Sequence, residues 1–167
     1  MDYQHYNKIL AFSLIELMVT IGIIALLTTV ATPIYVSYTI KANVSSAIPI
    51  LEGLKTRANE FYTANGTFPT SLTQINSTSY RDSIIIDSTQ VGTATCPTVA
   101  GSIGCVQVTF NNPSKPTFAL NNTVLSLVAT DNSTTSTDSA AIQWICKSGD
   151  NTGSKTINNN YLPKSCQ

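Results

Sequence analysis

Between Ile9 and Ile40 the chain reads ILAFSLIELMVTIGIIALLTTVATPIYVSYTI, and Glu16 is the only charged residue in that stretch. From Leu17 to Ile40 there are 24 residues, roughly 36 Å of helix, which exceeds the roughly 30 Å hydrocarbon core of a bilayer. A segment this long and apolar can span a membrane, and any fold for the chain has to place it.

Two fates are open to such a segment. A secretory signal peptide would be cut away after export; Lys8 precedes the apolar run and Thr29-Val30-Ala31 offers a small-x-small cleavage site. Against this, the run from Leu17 to Ala31 already fills the upper end of an ordinary signal core and then continues past that site. Glu16 is also out of place in a signal core. A carboxylate in lipid costs a few kcal/mol and marks a functional position by default. As a first-turn acid near the interface it gains about 0.3 to 1 kcal/mol from the helix dipole, which can offset much of that cost, so by itself Glu16 leaves both fates open.

The octapeptide around that carboxylate, Ala11-Phe12-Ser13-Leu14-Ile15-Glu16-Leu17-Met18, resembles the cleavage and methylation motif of type IV pilins, in which a small residue precedes Phe-Thr/Ser-Leu-Ile-Glu-Leu. The motif is specific when a long apolar run follows, as here. The resemblance implies that a prepilin peptidase cuts between Ala11 and Phe12 on the cytoplasmic side and methylates the new Phe12 amine. Residues 1–11 would then be a leader, 12–40 a transmembrane and assembly half-helix, and 41–167 a globular head. Ala11 stands where the family nearly always has glycine, and the leader MDYQHYNKILA carries little positive charge. The resemblance also gives Glu16 the task of meeting the Phe12 amine of a neighbouring subunit. A buried carboxylate is compensated only by an opposite charge, so a wrong axial register is penalised.

Gly22 and Pro33 interrupt a good helix former, Gly through backbone entropy and Pro through a lost hydrogen bond and a clash with the preceding turn. On residue type alone both are tolerated kinks. Pilins carry a proline at the position of Pro33, and the resemblance implies that roughly Ala25 to Pro33 unwinds in the assembled fibre, where Thr28, Thr29 and Thr32 can serve freed backbone groups.

Beyond Lys41 the pattern changes. Val44, Ala47, Ile48, Leu51, Leu54, Ala58, Phe61 and Tyr62 recur at steps of three and four, which predicts a helix with one buried face and with Glu52, Arg57 and Glu60 solvated. Pro49 predicts a second kink and Asn65-Gly66 a terminator, so the whole helix would run from Phe12 to Ala64. After Gly66, short strands are expected at Ser83 to Asp87, Cys105 to Phe110, Val124 to Thr130 and Ala140 to Lys147. The alternation Val106-Gln107-Val108-Thr109-Phe110 suits an antiparallel sheet with one face on the helix and the other in solvent. The fold class is therefore α+β, a long kinked amino-terminal helix packed on a small antiparallel sheet, the pilin fold that the resemblance implies.

The four cysteines, Cys96, Cys105, Cys146 and Cys166, lie in the carboxy-terminal half. An exported domain would pair them as two disulfides, whereas the long spacings and the lone His5 give little support to zinc. Three pairings are open. Neighbour with neighbour, Cys96 to Cys105 and Cys146 to Cys166, is the simplest, and the second of these resembles the carboxy-terminal disulfide loop of pilins. Closing it would stabilise the head by about 3 kcal/mol on the chain-entropy account.

Charged residues are only 11% of the chain, with nine basic and nine acidic residues, so no overall field holds nucleic acid. Arg57, Arg81, Lys115, Lys147, Lys155 and Lys164 are the head's available cations. No nucleophile and base pair suggests an enzyme, and no cofactor is implied. Asp131 and Asp138 flank a Ser/Thr-rich loop without an EF-hand pattern, and the Asn-x-Ser/Thr sequences carry no reading in so Asn/Thr-rich a chain. The function expected from the resemblance is a structural pilus subunit, polymerising through its apolar helix for adhesion, twitching motility or DNA uptake. It would sit in the inner membrane as precursor and in an extracellular pilus when assembled. Its expected partners are other copies, minor pilins, the prepilin peptidase, the inner-membrane assembly platform and membrane lipid. A minor or competence pilin binding DNA, a type II secretion pseudopilin and a non-polymerising membrane-tethered binding module are the alternatives. Pseudopilins usually lack the loop that Cys146 and Cys166 would close.

Overall fold

The computed structural model describes residues 12–79, 86–92, 94, 96–111, 119–131, 142–153 and 155–167. It divides into two compact units, 1–38 and 39–167.

One helix, α1 (Leu14–Asn65), is assigned without a break through Gly22, Pro33 and Pro49. Pro33 and Pro49 each remove one N–H from the ladder, yet neither ends the helix. The chain stops it at Gly66, where φ is +70° and the Gly66 N–H donates to the Tyr62 carbonyl at 2.8 Å. This is a left-handed cap that only glycine adopts without penalty.

In the second unit α1 buries Ile40, Val44, Ala47, Leu51, Leu54 and Ala58, a stripe at steps of three and four. Ile48, Phe61 and Tyr62 pack partly buried beside it. Opposite lies a four-stranded antiparallel meander in the order β1 (Ile86–Gly92), β2 (Ser102–Phe110), β3 (Thr123–Thr130), β4 (Gln143–Ser148). Register places Val91, Val106, Leu127 and Cys146 in one row across the four strands, with Val108 opposite Leu125 in the next. These residues share one cluster with the helix stripe.

The first strand differs from expectation. It runs on to Gly92, past the expected end at Asp87; Ser83 to Ile85 lie outside the described residues. Pairing explains the longer run, because β2 and β1 are in register from Phe110 with Ile86 to Cys105 with Gly92. The last strand begins at Gln143; Ala140 and Ala141 lie outside the described residues.

The second face of the sheet also corrects the sequence reading. It was expected to meet solvent, and on β4 it does, with Gln143, Ile145 and Lys147 exposed, but all eight residues of β3 are buried. On that face Cys105 pairs with Val128 and Gln107 with Ser126, and a small cluster of Cys96, Cys105 and Val128 with Val99 beside it covers the sheet. Gln107 Nε2 donates to Ser126 Oγ at 3.1 Å, a hydrogen bond between buried side chains across the two strands.

Candidate functional site

The amino-terminal part of α1 is apolar on every side. Among the described residues, sixteen large apolar side chains between Phe12 and Tyr38 are exposed, Phe12 at 75% and Leu26 at 72% among them. A helix apolar all round belongs in lipid or between other helices, and such an exposed surface marks an interaction site. No residue of this half is buried before Ile40, where the one-sided stripe begins.

At the start of the helix, the Ser13 carbonyl accepts from Glu16 N at 3.1 Å and Leu17 N at 3.3 Å. Phe12 therefore lies just outside the first turn and Glu16, exposed, lies within it. Ala11 is outside the described residues. The hydroxyls of the apolar half turn back on the helix: Thr20 donates to the Leu17 carbonyl at 2.7 Å, Thr28 to Ile24 at 2.8 Å, Thr29 to Leu26 at 2.8 Å and Thr32 to Thr28 at 2.8 Å. Ser37 closes the series with a 3.1 Å bond to the Pro33 carbonyl. Each hydroxyl is thus satisfied without water, as a lipid environment requires. At Gly22 an added side chain would touch nothing of this chain within 4 Å. Its bareness answers no need of this chain's own packing.

The head is tied by two bridges, Cys96 to Cys105 with Cα atoms 5.6 Å apart, and Cys146 to Cys166 with Cα atoms 4.6 Å apart. They lie on opposite faces of the sheet. Cys105 belongs to the outer cluster, while Cys146 shares its row with Leu127 and Cys166 belongs to the core under the helix. The chain end is fastened further by Gln167, whose Nε2 donates to the Asn159 carbonyl at 2.9 Å and the Leu162 carbonyl at 3.1 Å.

Several contacts that shape the head have no signature in the sequence. Trp144 Nε1 donates to Asn59 Oδ1 at 3.1 Å, joining β4 to α1. The Phe68 and Trp144 rings meet at 6.1 Å with planes at 52°, a tilted arrangement that suits two ring quadrupoles. Phe68 lies directly on Gly104, where an added Cβ would overlap the ring. Among the cations, Arg57 donates to the Asn76 carbonyl at 2.7 Å and Lys55 pairs with Glu52 at 2.9 Å. Lys115 and Arg81 lie outside the described residues, as does Asp138.

Residues 40–167 match the family described as pilin (bacterial filament), and residues 6–32 match the prokaryotic N-terminal methylation motif. The chain is 42% identical over 71 residues to a fimbrial protein of Neisseria meningitidis, covering 42% of each chain. It is 47% identical over 58 residues to a type IV major pilin protein of Neisseria gonorrhoeae, covering 35% of each. A fimbrial protein of Eikenella corrodens is 38% identical over 58 residues, covering 35% of this chain and 38% of its own. The chain thus spans less than half the length of these curated relatives.

Proposed function

Because this chain belongs to the pilin family of bacterial filament proteins, we propose that it is the structural subunit of a type IV pilus, built by lateral packing of the apolar half of α1. The observation that carries this reading is the change of character along one helix: exposed and apolar on all sides to Tyr38, then buried on one stripe from Ile40. A helix of the first kind needs lipid or other helices around it. Before assembly lipid meets that need in the inner membrane; in the extracellular fibre the same surfaces of other copies meet it.

In this reading the prepilin peptidase cuts between Ala11 and Phe12 and methylates the Phe12 amine. That amine then faces the Glu16 carboxylate of a neighbouring copy. The match to the N-terminal methylation motif over residues 6–32 supports the cut and the methylation. Pairing the two charges offsets the desolvation of each and rejects subunits in the wrong register. Gly22 leaves room for a neighbouring backbone, and Pro33 weakens the ladder where the helix would leave lipid. Minor pilins and the assembly platform are the remaining partners. Adhesion, twitching motility and DNA uptake are consequences of the fibre, and no catalytic turnover is required.

The test is Glu16→Ala, with Glu16→Gln beside it to separate charge from size. Both variants are expected to insert in the membrane at normal levels, while surface fibre yield falls by more than about tenfold, since the partner amine is left buried and unpaired. Normal fibre yield from both would contradict the reading.

A further inference from the structure

A half-open cavity of about 170 Å³ lies between α1 and the chain end, lined by Leu51, Lys55, Trp144, Ser165 and both half-cystines of the Cys146–Cys166 bridge among others. It is close to the size that holds a single benzene ring and well below that of a drug-sized ligand site. It admits the reactive end of a small molecule but not a protein loop. Cys146 is half-buried. The other bridge offers no such approach at Cys105, which is fully buried beneath Val99 and Val128.

Two neighbours of the cavity suit the chemistry of sulfur leaving as a thiolate. Ser165 Oγ lies 3.8 Å from Cys166 Sγ; a disulfide sulfur carries no proton, so the hydroxyl is the donor. Lys55 and Glu52 line the same space, the Lys55 ammonium held at 2.9 Å from the Glu52 carboxylate. A hydroxyl donor against a departing sulfur, with a lysine on the wall of the same cavity, favours thiolate as the leaving form and speeds exchange.

We propose that the Cys146–Cys166 bridge is a thiol–disulfide exchange site for small dithiols, reached through this cavity. The reagent's thiolate attacks Cys146 Sγ and forms a mixed disulfide. The electron pair of the old S–S bond leaves on Cys166 Sγ, where the Ser165 hydroxyl and the Lys55 ammonium stabilise the thiolate. The reagent's second thiolate then attacks its own sulfur in the mixed disulfide and expels Cys146 as a thiolate. The reagent ends as an internal disulfide, having given two electrons to the protein, and its two thiol protons balance the two new protein thiolates. The site goes beyond the fibre reading and does not depend on it.

The full chain in detergent micelles, treated with dithiothreitol and quenched with iodoacetamide at intervals, tests this by peptide mapping. Cys146 and Cys166 are expected to be alkylated about tenfold sooner than Cys96 and Cys105. Lys55→Gln and Ser165→Ala should each slow that step by about two- to fivefold, and Glu52→Gln should quicken it, because a negative charge at the mouth repels the incoming thiolate. Opening of both bridges at one rate, opening of Cys96–Cys105 first, or rates unmoved by all three substitutions would overturn the proposal. So would a Cys146–Cys166 rate that rises with urea in step with global unfolding, since exchange would then need the unfolded chain and not the cavity.

Discussion

At Gly104 a hydrogen atom stands where any other residue would place a carbon, and the Phe68 ring occupies that space. Gly104→Ala is expected to destabilise the head by about 1 to 3 kcal/mol, the usual cost of overpacking. Much of that loss should return when Phe68→Leu is added, and urea unfolding of the single and double variants measures both. On the outer face, the buried Gln107 amide donates to the buried Ser126 hydroxyl. Ser126→Ala removes this hydrogen bond of the buried amide and should cost about 1 kcal/mol, whereas adding Gln107→Leu should recover part of it. The same unfolding assay separates the two cases. Neither contact could be read from the sequence. A glycine in a strand and a glutamine in an alternating run both look like ordinary surface positions until the partner strand and loop are in place.

The helix is the element whose plan was most open to sequence reading. Its buried stripe follows from spacing alone, because Val44, Ala47, Leu51, Leu54 and Ala58 repeat at helical steps. Its end follows from the one residue type suited to a left-handed cap, Gly66. Two leucines on this helix make opposite predictions. Leu51 is 1% exposed and Leu27 is 66% exposed. Leu51→Ala should weaken the head by about 2 to 5 kcal/mol, the range for emptying a core site. Leu27→Ala should leave head stability within about 0.5 kcal/mol and lower fibre yield instead. Unfolding in detergent, followed by the fluorescence of the single tryptophan Trp144, reads the first effect, and imaging of surface fibres reads the second. The sheet was harder. Alternating polarity suggested a wet outer face, which holds at β4, but the chain from Cys96 to Val99 folds across the part on β2 and β3. A cover contributed by a loop leaves no period in the sequence. Strand β1 runs past its expected end for a related reason, since that end is set by pairing with β2 and not by its own composition.

For the whole molecule, two environments meet on one chain. Residues 12–38 bury no side chain within the structure, while 39–167 holds a core tied by two disulfides on opposite faces of the sheet. The candidate site was visible early because it is local: an octapeptide, one carboxylate and a long apolar run carry the signal without any tertiary partner. The cavity beside Cys146 and Cys166 was not, because it is assembled from α1, β3, β4 and the chain end. The central claim is that the apolar segment is kept and becomes the surface through which copies assemble. Amino-terminal sequencing and intact mass of protein sheared from the cell surface test it most directly. The account predicts a chain beginning at Phe12 and heavier by one methyl group. A chain beginning at Thr32, with the apolar segment removed, would contradict it.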